Sequence, residues 1–237
     1  MAINFSHTFL MRKLHQLTGI VPLGAFFVVH MFTNSKAMLG QEEFNKAVEQ
    51  IHGIPYLIFI EVFGIFLPLL FHSVYGIVIS KEARNNILNY SYGRNWLYVL
   101  QRATGIFLFF FILFHILTLR FGFFGVEAVA GNASSAYQIV SGELASAGIL
   151  ALYIAGVLAT SWHLAYGIFL FAVDWGLVIG EKAQSYLLKG CFGVAVLLSA
   201  VGINAALSFD ESKCGCTNVP KASNVETEKT NSSVSLK

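Results

Sequence analysis

Residues 55–79 read PYLIFIEVFGIFLPLLFHSVYGIVI, and this stretch decides the class of fold. It is apolar along almost its whole length, and its ionisable side chains include one acid, Glu61, and one histidine, His72. A helix that crosses a bilayer needs about 20 predominantly apolar residues, and lipid offers no other partner for its backbone hydrogen bonds. The stretch therefore predicts a transmembrane helix that carries polar groups at two levels.

Four further stretches have a similar length and composition. They cover residues 14–33, 96–119, 147–173 and 186–207. The chain is 56% hydrophobic and 12% charged, whereas a soluble domain carries roughly 25% charged residues. We therefore predict an all-α membrane protein with five transmembrane helices, in one membrane domain over residues 1–207. Residues 208–237 are rich in Ser, Thr, Asn, Lys and Glu, which predicts a disordered polar tail.

Charges in the loops predict the orientation of the helices. Basic residues are concentrated before the first helix and after the second and fourth, at Arg12, Lys13, Lys81, Arg84, Arg94 and Lys182. The opposite loops carry as many acids as bases, or more. The positive-inside rule then places the N-terminus in the cytoplasm and, with five spans, the C-terminus outside. No cleavable signal peptide is apparent, so the first helix is expected to act as its own insertion signal.

Composition also argues against several classes of function. The 15 Lys and Arg residues form no basic face with interleaved aromatics, so no nucleic-acid partner is predicted. No nucleophile–base pair, P-loop or dinucleotide motif is visible, so substrate chemistry is expected in another subunit or at a lipid-soluble carrier. Cys191 lies in an apolar segment and is interpreted as a small buried residue. Cys214 and Cys216 lie in the tail, where a metal or redox role stays open.

Four of the seven histidines fall inside the predicted helices, one in each of the first four. They are His30, His72, His115 and His163. Ionisable residues inside a bilayer are rare, and each is either a functional group or a hydrogen-bonded contact between helices. At about 1.5 Å per residue, His30 and His115 lie roughly 25 and 28 Å from the cytoplasmic starts of their helices. His72 and His163 lie about 13 and 16 Å from the cytoplasmic loops that follow them.

Two depths with two histidines each are what two stacked bis-imidazole haems require. Each iron takes one nitrogen from each of two facing helices, which pairs His30 with His115 at the outer level. His72 pairs with His163 at the inner level. We therefore predict that the first four helices form a di-haem bundle, with these four side chains as the ligands of the haem iron.

An internal repeat supports this pairing. The motif Thr-Gly-Ile occurs at residues 18–20 and again at 104–106, in each case ahead of an outer histidine. The motif His-x-x-Tyr-Gly-Ile occurs at residues 72–77 and again at 163–168. The motifs of the first two helices thus recur in the third and fourth, as expected for a parallel repeat about an axis along the membrane normal. Equivalent histidines lie at equivalent depths and are expected to share a metal.

The ligand set predicts the kind of haem. An iron with two histidine ligands has no open position, which argues for electron transfer and against oxygen binding. The sequence has no Cys-x-x-Cys-His motif, so the haems are expected to be non-covalent b-type. Gly76 and Gly167 lie one turn after their histidines and would leave a helix face free for the flat macrocycle. Ordinary packing of small residues between helices explains these glycines equally well.

Three further polar residues are candidate contacts of the cofactors. Glu61 precedes His72 by eleven residues, which at about 100° per residue returns to nearly the same side of the helix. A carboxyl there could exchange protons with a quinone beside the outer haem, or it could simply pair with a neighbour. Arg102 and His15 lie towards the inner level, where they could neutralise haem propionates. His15 is also a candidate quinone contact.

Several segments together resemble one known family. They are RKLHQLTGIVPLG at residues 12–24 followed by His30, FLPLLFHSVYG at 66–76, RATG at 102–105 and SWHLAYG at 161–167. These segments resemble the cytochrome b558 subunits of bacterial succinate dehydrogenases, and the likeness extends over residues 7–207. It implies a single-subunit, two-haem anchor of succinate:quinone oxidoreductase or quinol:fumarate reductase in the bacterial cytoplasmic membrane.

The resemblance also implies partners and an electron route. Such anchors dock a flavoprotein subunit and an iron–sulfur subunit on the cytoplasmic face, and two-haem members usually work with menaquinone. The family assigns the inner haem to the second and fourth helices and the outer haem to the first and third. Dicarboxylate chemistry is then expected in a partner, while this chain carries electrons to or from quinone. Some members carry a glutamate for proton transfer where this chain has Ser161, so that proton route is not expected here.

Two other interpretations stay open at this point. A different di-haem cytochrome b, serving a hydrogenase, a formate dehydrogenase or a ferrireductase, would show the same four histidines. A haem-free transporter could use them as proton relays, but that function gives no reason for two matched depths. The sequence also leaves open the direction of catalysis, the quinone site, the proton pathway and a higher oligomer of the complex.

Overall fold

The computed structural model describes residues 5–84 and 86–209, with side chains from residue 8 onward. In this part of the chain, five helices are long and apolar enough to cross a membrane. We call them the first to fifth spans, and they cover Thr8–Leu39, Leu57–Glu82, Gly93–Arg120, Ala147–Asp174 and Glu181–Ser208. The prediction of an all-α protein with five helices of membrane-spanning length and composition is confirmed, while the di-haem bundle stays a prediction. The predicted polar tail lies almost entirely outside the described residues.

The first three spans are not uniform α-helices, because each contains a wide π-helical turn. Their α-helical parts are Phe5–Thr18, Ala25–Ser35, Leu57–Phe59, Leu67–Glu82 and Gly93–His115. The π-turns are Gly19–Gly24, Ile60–Phe66 and Ile116–Arg120. Pro22 lies in the first π-turn and Pro68 follows the second, and a proline has no N–H for the regular helical bond. Turns of this kind often occur at functional sites.

Glycines let the spans approach each other closely. A Cβ atom on Gly202 of the fifth span would lie 2.6 Å from Cγ1 of Val157 in the fourth span. Gly156 of the fourth span likewise faces the ring of Phe111 in the third span. Without a side chain at these points the helices can pack backbone to side chain, which is a general mode of association in membranes.

Polar contacts tie together the ends of three spans on the side of the inner histidines. Arg12 of the first span pairs with Glu82 at the end of the second span at 3.0 Å. Lys13 donates a hydrogen bond to the backbone carbonyl of Asp174, 2.6 Å away at the end of the fourth span. Gln16 donates to the carboxylate of the same Asp174. These contacts fix the start of the first span against the helices that carry the inner histidines.

The two loops on the opposite side fold into a compact cap, which the sequence did not predict. The cap contains the helices Gln41–His52 and Ala136–Leu144, with a short 3₁₀ turn at Ala133–Ser135. Helix Gln41–His52 buries Phe44 and Val48. The core of the cap is formed by the buried residues Ala37, Phe44, Val48, Leu119, Ala136, Tyr137, Ile139, Val140, Leu144, Tyr153 and Phe209. Tyr153 belongs to the fourth span, so the cap core continues into the bundle.

Asn45 connects the two halves of the cap, and its replacement is expected to destabilise the fold. Its side-chain amide donates to the carbonyl of Ser134, and its oxygen accepts from the backbone N–H of Tyr137 at 2.8 Å. Asn45→Ala removes both hydrogen bonds, and loss of the buried one to the N–H of Tyr137 is expected to cost about 1–3 kcal/mol. We expect a clearly lower melting temperature of the purified protein. Asn204→Ala is the control, because that exposed amide bonds only within its own helix; equal melting temperatures would contradict the prediction.

Candidate cofactor site: two pairs of histidines

The structure brings the four membrane histidines together in two pairs. The ring centroids of His30 and His115 are 5.7 Å apart. Those of His72 and His163 are 6.3 Å apart. These are the outer and inner pairs that the sequence predicted, joining the first span to the third and the second to the fourth. Ligation of iron by these side chains stays a prediction.

The separations of the two pairs can be compared with the one that an iron atom between two imidazole rings requires. A metal–imidazole bond of about 2.0–2.1 Å, with about 1.1 Å from the nitrogen to the ring centre, puts two opposed centroids roughly 6.2–6.4 Å apart. The inner pair lies in this range, and the outer pair needs only a small opening. Two imidazoles fill two of the six positions of iron, and a porphyrin supplies the other four. The ring planes cross at 82° in the outer pair and 84° in the inner pair.

Hydrogen bonds orient three of the four imidazoles. The Nδ1 contacts are His72 with the carbonyl of His15 at 2.9 Å, His163 with the hydroxyl of Thr104 at 3.2 Å, and His115 with the hydroxyl of Tyr153 at 3.3 Å. A histidine that binds a metal almost always donates its second ring N–H to such an oxygen, which fixes the tautomer. In all three residues this arrangement leaves Nε2 available for a metal.

Two glycines allow the inner histidines to lie directly against a neighbouring helix. A Cβ atom on Gly19 would be 2.5 Å from Cε1 of His72, and one on Gly105 would be 3.0 Å from Cε1 of His163. These glycines belong to the two copies of the Thr-Gly-Ile motif. Equivalent residues of the repeat therefore make equivalent contacts in the structure.

Gly76 and Gly167 have a different environment from the one predicted for them. A Cβ atom on Gly76 would be 3.1 Å from the ring of His15. One on Gly167 would be 3.7 Å from the side-chain amide of Gln101. Both positions face side chains of a neighbouring span, so the structure favours close helix packing over space for a macrocycle.

In the described part of the chain, the buried nitrogen atoms without hydrogen-bond partners include two from residues that the sequence singled out as candidate propionate contacts. These two are Nδ1 of His15 and Nε of Arg102, neither of which has a hydrogen-bond partner among the described residues. The guanidinium of Arg102 also lies over the ring of Tyr98, 3.8 Å from its centroid. Buried polar atoms are rarely left unpaired, so these two fit an absent group with acceptor oxygens. A haem propionate has this chemistry, and propionate binding by these residues stays a prediction.

Glu61 forms an ion pair with Arg120, a residue that the sequence did not single out. The two side chains are 2.6 Å apart and are 15% and 32% exposed respectively. Both lie in π-turns, and the second of these turns begins directly after His115. The π-turn after Glu61 interrupts the regular helical step from which its direction was calculated. Glu61 therefore pairs with a neighbouring residue, which was one of the two interpretations of its role. Proton exchange between Glu61 and a quinone stays a prediction.

Comparisons with known proteins agree with this architecture. Residues 85–202 match a protein family described as the succinate dehydrogenase/fumarate reductase transmembrane subunit. The chain is also similar to the succinate dehydrogenase cytochrome b558 subunit of Bacillus subtilis (strain 168). The two are 38% identical over 201 residues, which cover 85% of this chain and 96% of that protein.

Proposed function

Because this chain belongs to the family of succinate dehydrogenase/fumarate reductase transmembrane subunits, we propose that it is a di-haem cytochrome b anchor of such a complex. In this role it carries electrons between an iron–sulfur subunit and quinone. The observation that supports the two haems is the meeting of His30 with His115 and of His72 with His163, with the inner separation equal to the one that iron requires and the outer one slightly shorter. Family membership removes the hydrogenase, formate dehydrogenase and transporter alternatives.

The side chains around the histidine pairs hold and orient the cofactors. When bound, each haem supplies one-electron redox chemistry at an iron with no open position. The carbonyl of His15 and the hydroxyls of Thr104 and Tyr153 accept the Nδ1–H of their histidines and aim Nε2 between the helices. Arg102, with its unpartnered Nε, supplies positive charge to a propionate at the inner end.

The proposal places the soluble partners on the cytoplasmic face. The inner loops carry the basic residues, and the start of the first span is fixed there to the ends of the second and fourth spans. A flavoprotein and an iron–sulfur subunit would dock at this face, beside the inner haem. The outer haem would then serve the quinone, which is menaquinone by family resemblance, in a bacterial cytoplasmic membrane.

Purification of the assembled complex tests this function. The reduced-minus-oxidised spectrum should show b-type haem, and the extracted haem should amount to two per chain. Flavin-containing and iron–sulfur subunits should accompany the chain through the purification. A complex without a b-type band, or with one haem per chain, would contradict the proposal.

Glu61 is expected to matter for turnover of quinone rather than for binding of haem. Positioned acids and bases contribute typically 10²–10⁴-fold to rate, so Glu61→Gln should lower quinone-linked turnover by a factor in this range. The haem content should stay at the wild-type level. Glu82→Gln is a matched control, since it also removes the acid of an Arg–Glu pair, but at the exposed cytoplasmic end. Normal turnover in Glu61→Gln would show that the pair with Arg120 is only structural.

A further inference from the structure

The repeat is broken at one position beside the inner pair. Alignment of the two Thr-Gly-Ile motifs puts His15 opposite Gln101, three residues ahead of each motif. Both side chains lie against the equivalent glycines, Gly76 and Gly167. One half of the bundle therefore presents an imidazole ring where the other half presents an amide.

The ring of His15 lies flat on the ring of His72. The two centroids are 4.1 Å apart and the planes differ by only 12°. The backbone carbonyl of the same His15 accepts the Nδ1–H of His72 at 2.9 Å. Gly19 closes another side, where a Cβ atom would be 2.5 Å from Cε1 of His72. Rotation of the His72 ring would break the stack, lose the hydrogen bond or meet the backbone.

His163, on the other side of the iron position, has equivalent glycine and backbone contacts, but no second ring is stacked on it among the described residues. Its Nδ1 contacts the hydroxyl of Thr104, which itself donates to backbone carbonyls of its own helix. The side chain of Gln101 donates to the backbone carbonyl of His163, and the backbone carbonyl of Gln101 contacts the His163 ring as that of His15 contacts the His72 ring. Among the described residues, the recorded ring contact of His163 is with His72 alone. The stacked ring of His15 is therefore the restraint that distinguishes the His72 ring from the His163 ring.

We propose that His15 is a positioning residue that fixes the plane of the His72 imidazole at nearly a right angle to that of His163. The observed angle of 84° is the geometry that it maintains. This inference rests on the proposed function, because it assigns a role to the ring angle at an inner haem. Contacts between a metal-binding histidine and its neighbours orient the imidazole, and they also tune the redox potential of the metal.

The ring angle has a spectroscopic consequence. Perpendicular axial imidazoles leave the two iron orbitals that overlap with them nearly equal in energy, because each ring acts on a different one. A low-spin ferric haem with this geometry gives a strongly anisotropic electron paramagnetic resonance signal with a high low-field g value. Parallel rings separate the orbitals and reduce the anisotropy. The g value therefore reports the property that His15 is proposed to control.

The test compares His15→Gln and His15→Phe in the assembled, air-oxidised complex. Glutamine reproduces the residue at the equivalent position and keeps the backbone carbonyl, but it removes the stacked ring. We expect the low-field signal of the inner haem to move to a lower g value and to broaden, while the outer haem signal is unchanged. Phenylalanine keeps a flat ring without the imidazole nitrogens, so it should retain the wild-type g value.

Gln101→Ala is the matched control at the equivalent position and should leave both signals in place. An unchanged inner signal in His15→Gln, in a complex that retains two haems, would overturn the inference without affecting the proposed function. An equal shift in His15→Phe would also overturn it. If glutamine removes the inner haem, a wild-type signal in His15→Phe still supports the stacking role, and loss of that haem in both variants contradicts it. Failure of the proposed function would appear earlier, as absence of b haem from the wild-type complex.

Discussion

His163→Ala is expected to remove the inner haem and to halve the haem b content of the complex. The variant leaves His72 as the one imidazole at the inner iron position. Electron transfer to quinone should fall to the assay background, since the inner haem lies on the proposed route. Haem quantification per chain, followed by a redox titration of the b-type band, measures both effects.

The two levels allow a reciprocal control. His115→Ala should remove the other redox component and leave the inner one, because His115 lies beside His30 and not beside His72. His52→Ala replaces a histidine of the cap helix and should leave both haems in place. If His163→Ala and His115→Ala removed the same redox component, the pairing by depth would be wrong.

The spans and the histidine levels could be predicted because both are local properties of the chain. An apolar run long enough to cross a bilayer is visible in the sequence, and the depth of His72 follows from its distance to the charged loop. The cap could not be predicted in this way. Helix Gln41–His52 is too short and too polar to register as a span, and its buried residues become apparent only when Ala136–Leu144 packs against it.

Side-chain contacts that depend on how each helix is rotated about its axis also could not be predicted from the sequence. Thr104 and Tyr153 are ordinary residues of apolar helices until the structure shows which histidine each one faces. Glu61 illustrates the limit most clearly. Its direction was calculated for a regular helix, but the π-turn Ile60–Phe66 changes the rotation between Glu61 and His72. The partner of Glu61 is in turn an arginine in another π-turn, Arg120, which no periodicity in the sequence indicates.

The second large effect is expected from glycine variants that add only a methyl group. In Gly19→Ala the new Cβ atom would be 2.5 Å from Cε1 of His72, closer than real Cβ contacts allow. The ring cannot retreat without losing its bond to the carbonyl of His15 and its stack on that residue. Overpacking of this kind costs about 1–3 kcal/mol, and here the cost falls on the geometry of a ligand. We expect Gly19→Ala to lose most of the inner haem.

Because of the repeat, the loss of inner haem can be compared between two equivalent glycines, Gly19 and Gly105. The corresponding distance for Gly105→Ala is 3.0 Å, to Cε1 of His163, so this ring has a shorter distance to move than that of His72. Gly105→Ala should therefore lose less inner haem than Gly19→Ala, and both variants should keep the outer haem. Gly193→Ala is the control, because a Cβ atom there meets nothing within 4 Å. Loss of the outer haem in Gly19→Ala would mean that the glycine supports the bundle in general and not the His72 ring in particular.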